Sequence, residues 1–136
     1  MKKIEIGESA SVEVVATEEL VKSIAEVSGD NNPVHLDKEF AEKTIFKKQI
    51  AHGLLCVNGI SKILGTMLPG VGTILLSQSF KYKAPVYIGD TVTIMVSVKE
   101  IKSEKNIYIL ETICSNQNEQ IVMEGESVVK WESIER

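Results

Sequence analysis

The fold is decided by the longest apolar stretch of the chain, A-H-G-L-L-C-V-N-G-I-S-K-I-L-G-T-M-L, which runs from Ala51 to Leu68. Apolar residues occur on nearly every side of a helix with this sequence, as is typical of a helix buried in a core. Pro69 and Gly70 follow and end the helix. Gly59 and Gly65 each lower intrinsic helix stability by about 1 kcal/mol relative to alanine, so we expect another element to pack closely against the helix backbone there.

Four consecutive strands are predicted after this helix. In the second of them, Val92, Ile94, Val96 and Val98 alternate with mostly polar residues, which is the period of two expected of a strand. Short turns such as Asn116–Glu119 join the strands and favour an antiparallel sheet. The predicted strands are Thr73–Lys83, Thr91–Ile101, Asn106–Ser115 and Gln120–Trp131. One buried helix packed on this sheet gives an α+β fold, and 136 residues suit a single domain over 1–136.

The segment before the apolar helix is predicted to contain one strand and two helices. Ser11–Ala16 has the composition of a strand. Thr17 then caps a helix whose apolar residues repeat with helical spacing. The turn-forming residues Ser28–Pro33 end this helix, and a short polar helix is expected over Asp37–Lys43.

Composition narrows the function. The net charge of −4 argues against nucleic-acid binding, which needs a basic face. No apolar run of about 18 residues predicts a membrane span, and no secretory signal is visible, so we expect a cytoplasmic protein. Cys56 and Cys114 form no Cys-x-x-Cys motif and have no metal-ligand spacing with the histidines, so the sequence predicts neither a disulfide framework nor a metal site.

Asp30 and His35 are the strongest candidates for chemistry. They lie five residues apart on a loop that contains Pro33. An imidazole titrates near neutrality, and a carboxylate beside it can help to orient and deprotonate a water molecule. The alternative is that Asp30 caps a turn and His35 is an ordinary loop histidine.

Gly53 is a candidate oxyanion donor at the start of the apolar helix. Helix N-termini present free N–H groups and partial positive charge, and a residue without a side chain lets a carbonyl oxygen approach its N–H. The alternative is a glycine retained for packing.

Weaker candidates lie nearby. His52 precedes Cys56 by one helical turn, so a Cys–His nucleophile is conceivable, although a free cysteine in an apolar run is usually a small buried hydrophobe. Ser61 could donate a hydrogen bond into a pocket or bond to its own helix backbone. Four lysines could meet phosphates or simply be solvated: Lys47, Lys48, Lys81 and Lys83.

Together these residues resemble the MaoC-like, R-specific enoyl-CoA hydratase family. S-G-D-N-N-P-V-H-L-D at Ser28–Asp37 is similar to the hydratase motif of that family, and I-A-H-G-L-L at Ile50–Leu55 is similar to its next segment. L-P-G at Leu68–Gly70 and F-K-Y-K-A-P-V-Y-I-G-D-T-V at Phe80–Val92 also fit. The resemblance covers about Thr17–Lys130, nearly the whole chain.

The resemblance implies a hot-dog fold, in which an antiparallel sheet wraps a long central helix. It implies syn addition of water to a trans-2-enoyl-CoA to give an (R)-3-hydroxyacyl-CoA, with no metal or organic cofactor. Asp30 and His35 become the acid–base pair and Gly53 the donor to the thioester oxygen, while Asn32 and Ser61 are expected at the substrate. A homodimer or higher homo-oligomer, with the thioester tunnel near the subunit interface, is also implied.

Two other functions fit the same fold. A thioesterase would hydrolyse the thioester and release a free thiol. A non-catalytic acyl-CoA-binding module would bind without turnover, and would need neither Asp30 nor His35.

Overall fold

An antiparallel sheet of five strands forms most of the structure, a computed structural model that describes residues 3–133. The spatial order is β1-β3-β4-β5-β2, so the outer strands are the two that precede and follow the helical segment. In chain order the strands are β1 Ser9–Val15, β2 Ile74–Tyr82, β3 Thr91–Lys102, β4 Ile107–Ser115 and β5 Ile121–Lys130. The four strands predicted after the long helix are thereby confirmed, as is the strand near the N-terminus.

Four helices connect β1 to β2. They are α1 Glu18–Ser28, α2 Pro33–Leu36, α3 Lys38–Glu42 and α4 Leu54–Thr66, and a 3-10 turn at Ser103–Lys105 joins β3 to β4. The single turn α2 is not in the sequence prediction. It forms because Pro33 occupies the first helical position, where its fixed φ suits a helix, and because the Asn32 side chain accepts the Val34 N–H at 3.2 Å.

The long helix α4 starts later than predicted. The predicted start at Ala51 was wrong. The Ala51 N–H donates to the Val86 carbonyl at 2.7 Å, and Ile50 forms a β-bridge with Tyr87. These contacts keep residues 50–51 extended, and helical structure begins at Leu54. The predicted end at Leu68 was also two residues too long.

Helix α4 buries one face against the sheet and exposes the other in the described chain. The buried residues are Leu55, Cys56, Gly59, Ile60, Ile63 and Leu64. The prediction of close packing is confirmed at Gly59, where an added Cβ would overlap Cδ1 of Ile94. At Gly65 it was wrong, because nothing lies within 4 Å of a Cβ built there.

The N-terminal half of α4 crosses the strands along a single row of the sheet. Tyr82, Met123, Cys114 and Ile94 are successive cross-strand partners on the inner face. Gly53 lies against Tyr82 at one end of this row, and Gly59 lies against Ile94 at the other. Cys56, midway between the two glycines, therefore faces the middle of the row.

Candidate active site

The loop after α1 presents the Asp30 carboxylate. Gly29 ends the helix with φ 78°, a left-handed conformation that favours glycine, and its N–H donates to the Ala25 carbonyl. Asp30 Oδ1 accepts the Asn32 N–H at 3.1 Å. Because Oδ1 is occupied in this turn, the other carboxylate oxygen is left to face His35.

His35 is held in one tautomer. Its Nδ1 lies 2.7 Å from the Ile50 carbonyl, which can only accept, so Nδ1 carries a proton and the neutral imidazole has its lone pair on Nε2. Nε2 lies 3.9 Å from Asp30 Oδ2. That separation is too long for a direct hydrogen bond and suits a bridging water. The Gln49 side chain fixes the backbone of His35 by donating to its carbonyl at 2.9 Å.

His52 contacts both members of this pair. Its Nε2 lies 2.9 Å from the Asp30 carbonyl, and its ring stacks on the His35 ring with centroids 3.9 Å apart. Sequence reasoning considered His52 only as a partner for Cys56. The structure instead directs its Nε2 to Asp30, so the conceivable Cys–His nucleophile is not assembled. The signals available in the sequence were its position next to Gly53 and its place in the family-like segment Ile50–Leu55.

Gly53 precedes the first residue of α4, as the oxyanion hypothesis requires. Its N–H has no acceptor among residues 3–133, and no side chain caps this end of the helix. The Tyr82 ring lies against the glycine, because a Cβ built on Gly53 would be 2.7 Å from its Cε1 and 2.9 Å from its hydroxyl. Any side chain at this position would therefore displace Tyr82.

A cavity of about 610 Å³ joins these groups. Asp30, His35, His52 and Gly53 lie in its wall, and the remaining wall is mostly apolar: Phe46, Ile50, Ala51, Leu54, Cys56, Tyr82, Lys83, Ala84, Pro85, Val86, Val122 and Met123. An apolar cavity with a few convergent polar groups is typical of a small-molecule site.

Two predicted residues lie outside the cavity wall. Asn32 caps α2, as described above, and its side chain is exposed. Ser61 is exposed on the face of α4 that points away from the core. Among the lysines considered, Lys83 lies in the wall and pairs with Glu124 at 3.3 Å, while Lys48 lies over the Tyr87 ring.

The two cysteines are in contact in the core. A hydrogen bond from the Cys114 thiol lowers the pKa of Cys56. Burial acts in the opposite direction, but its effect on the pKa of Cys56 is smaller. The same hydrogen bond and burial raise the pKa of Cys114. Burial, followed by the charges of both cysteines, raises the pKa of Tyr82. No local pattern in the sequence predicts this contact, which depends on α4 crossing β4.

Asp30, His35 and His52 each offer a potential metal ligand within 4.8 Å of one another. The two imidazole rings are stacked at 30°, so their in-plane lone pairs lie in nearly parallel planes and do not converge on one ion. This geometry favours a hydrogen-bonded acid–base site over a metal centre.

Within residues 3–133, no helix combines the length and apolar character needed to cross a bilayer.

Known proteins of one family are similar to this chain over most of its length. The profile of the MaoC like domain family matches residues 3–118. An (R)-specific enoyl-CoA hydratase from Rhodospirillum rubrum is 44% identical over 126 residues, covering 93% of this chain and 87% of the relative. An (R)-specific enoyl-CoA hydratase from Aeromonas caviae is 39% identical over 129 residues, covering 95% of this chain and 96% of the relative.

Solved structures give the same result. The (R)-hydratase from Aeromonas caviae involved in PHA biosynthesis has a TM-score of 0.93 at 38% identity, covering 97% of this chain and 100% of that one. The unliganded R-hydratase from Pseudomonas aeruginosa has a TM-score of 0.88 at 36% identity, covering 98% of this chain and 90% of that one. The predicted hot-dog fold is thereby confirmed. The chain belongs to the MaoC-like domain family, as its sequence motifs predicted.

Proposed function

We propose that the protein hydrates trans-2-enoyl-CoA to (R)-3-hydroxyacyl-CoA and catalyses the reverse dehydration. The observation that carries this proposal is the convergence of three groups on one cavity: the Asp30 carboxylate, the His35 Nε2 and the Gly53 N–H. The (R)-specific hydratases of Rhodospirillum rubrum and Aeromonas caviae, similar over nearly their whole length, support the same activity.

The Gly53 N–H is the proposed donor to the thioester carbonyl oxygen. Negative charge develops on that oxygen as water adds to the β-carbon, and the partial positive charge of the α4 N-terminus lies beside it. One such donor contributes about 3–4 kcal/mol to the transition state. Because the carbonyl itself acts as the electron sink, the reaction needs no metal or organic cofactor, and coenzyme A enters only as part of the substrate.

Asp30 and His35 are the proposed acid–base pair. A water between Asp30 Oδ2 and His35 Nε2, which are 3.9 Å apart, would face the β-carbon. The pair removes a proton from this water and returns a proton to the α-carbon, so that hydroxyl and hydrogen are added from one side. This gives syn addition and, by analogy with the relatives, the R product. General acid–base catalysis of this kind typically contributes about 10²–10⁴-fold.

A crotonyl-CoA assay with the wild-type protein tests the proposal. We expect loss of the enoyl absorbance, no release of free thiol, and an R-configured product on chiral analysis. Free coenzyme A as the product would support the thioesterase, and binding without turnover would support the acyl-CoA-binding module. Treatment with EDTA is expected to leave the hydration rate unchanged, whereas loss of activity restored by a metal would contradict the cofactor-free mechanism.

A homodimer joined along β2 is the proposed assembly. Within the described sheet β2 pairs only with β5, so its outer edge has no partner strand. This edge carries three consecutive half-exposed residues, Ile74, Leu75 and Leu76, with exposed fractions of 58, 51 and 51%. An apolar open edge is a ready template for another strand, and a second copy of β2 would cover it.

Substrate contact by Asn32 and Ser61 also stays a proposal. Asn32 follows Asp30 by two residues with an exposed side chain, and Ser61 is exposed on the outer face of α4. A higher KM in Ser61→Ala without a change in kcat would support its role.

A cytoplasmic location is proposed because Cys56 and Cys114 are free thiols in contact, which suits a reducing compartment. Cell fractionation tests this location.

A further inference from the structure

We propose that His52 is a positioning residue of the hydration reaction, which fixes Asp30 and His35 in their working geometry. The inference rests on the proposed function and extends it to a residue outside the acid–base pair. It is carried by the hydrogen bond from His52 to the backbone of Asp30 and by the stacking of the two imidazole rings.

The hydrogen bond ties an exposed loop to the buried start of α4. The Asp30 side chain is 48% exposed, and the other hydrogen bonds described for residues 29–32 join residues at most four positions apart. His52 is 22 positions from Asp30 and is 2% exposed. Because a carbonyl can only accept, Nε2 of His52 must carry the proton. This bond therefore sets where the Asp30 carboxylate sits relative to the rest of the cavity.

The stacking restrains His35 from a second side. The rings are 3.9 Å apart between centroids, and both residues are buried. The Ile50 carbonyl already fixes Nδ1 of His35, so the stacked ring blocks the remaining tilt of the imidazole out of its plane. Contacts from neighbouring side chains that orient a reacting imidazole in this way keep its lone pair aimed at one point.

One short segment therefore contacts Asp30 and His35 and also carries the oxyanion donor. In residues 50–53, Ile50 holds His35, His52 holds Asp30, and Gly53 offers the free N–H. The segment is itself fixed to residues 86–87 by a hydrogen bond and a β-bridge. The distance from the acid–base pair to the oxyanion donor is thus set within four consecutive residues.

Stability alone does not account for an imidazole at this position. Nδ1 of His52 is buried and has no hydrogen-bond partner in the described structure. An unsatisfied buried acceptor is unfavourable, and such exceptions in folded proteins call for another explanation. Positioning of the acid–base pair supplies one.

Two matched variants test the role of the hydrogen bond. In His52→Gln the amide nitrogen can occupy the place of Nε2 and still donate to Asp30, whereas the amide of His52→Asn reaches only as far as Nδ1. We expect His52→Asn to lower kcat for crotonyl-CoA about 10–100-fold with KM changed less than about threefold. His52→Gln keeps the donor to Asp30 but loses the ring stacking, so its kcat should fall less and stay about threefold to tenfold above that of His52→Asn, even where the two variants lose thermal stability equally.

Nitrogen-15 NMR of the wild-type imidazoles gives a readout that needs neither substrate nor variant. The inference requires a proton on Nδ1 of His35 and on Nε2 of His52. The opposite tautomer of His52, an unchanged kcat in His52→Asn, or equal losses of kcat in both variants would overturn it. If the wild-type protein shows no hydration at all, the proposed function fails, while the NMR result still decides whether His52 holds the loop.

Discussion

In the proposed acid–base pair, Asp30 and His35 each have one atom occupied by the protein and one left open. Asp30 Oδ1 accepts a turn N–H, and His35 Nδ1 donates to Ile50, which leaves Oδ2 and Nε2 facing one another. The spacing of the two residues could be recognised in the sequence. The tautomer could not, because it depends on a backbone carbonyl 15 residues away that has no sequence signature.

The contact between the two buried thiols should affect how fast Cys56 is alkylated and how that rate depends on pH. The hydrogen bond from Cys114 lowers the pKa of Cys56. At a given pH, a larger fraction of Cys56 is therefore thiolate than would be the case without this hydrogen bond. Cys56 also lines the cavity. We therefore expect a small alkylating reagent at pH 8 to modify Cys56 before Cys114, and Cys114→Ala to slow that modification roughly threefold to tenfold. Peptide mass spectrometry against time measures both rates.

The control for this experiment is Cys56→Ala, in which the fast modification should disappear. Since the loss of the hydrogen bond raises the pKa of Cys56, the difference between wild type and Cys114→Ala should shrink as pH rises above both values. A rate unaffected by Cys114→Ala, or faster labelling of Cys114, would contradict the thiol contact.

Helix α4 offers a direct comparison of two glycines. An added methyl group at Gly59 would overlap Ile94, whereas one at Gly65 meets open space. We expect Gly59→Ala to lower the free energy of unfolding by about 1–3 kcal/mol through overpacking. Gly65→Ala should raise it by about 0.5–1 kcal/mol through helix propensity. Urea unfolding followed by circular dichroism measures both changes. Equal effects at the two positions would contradict the close packing at Gly59.

The elements themselves were largely predictable from local pattern. The alternation of apolar and polar residues predicted β3, and turn residues marked its two ends. Both patterns depend only on residues a few positions apart. The start of α4 was misplaced because Ala51 is extended by its hydrogen bond to Val86, 35 residues later, and no local signal encodes that pairing. Helix α2 was missed because a turn capped by Asn32 and started by Pro33 is too short to show an apolar period.

The assembly of the whole molecule can be tested through its two sheet edges. Leu76 lies on the open edge of β2, and Val15 is 49% exposed on the opposite outer strand, β1. We expect light scattering to give twice the chain mass for wild type. Leu76→Lys should shift the protein toward monomer at micromolar concentration, because a charge on an edge strand opposes strand pairing.

The matched control is Val15→Lys, which adds the same charge to the other edge and should leave the dimer intact. A wild-type monomer, or dissociation caused by Val15→Lys and not by Leu76→Lys, would contradict the proposed interface along β2.

The loop after α1, the start of α4 and the inner face of the sheet all line the cavity that contains the Asp30 carboxylate. The most direct test of the catalytic assignment is the kcat of Asp30→Asn for crotonyl-CoA hydration, with thermal unfolding as the check on folding. The amide preserves the shape of Asp30 and removes its acid–base function, so we predict a loss of about 10²–10⁴-fold with unfolding unchanged. Near-normal turnover by a folded Asp30→Asn protein would contradict the assignment of Asp30 and His35 as the acid–base pair.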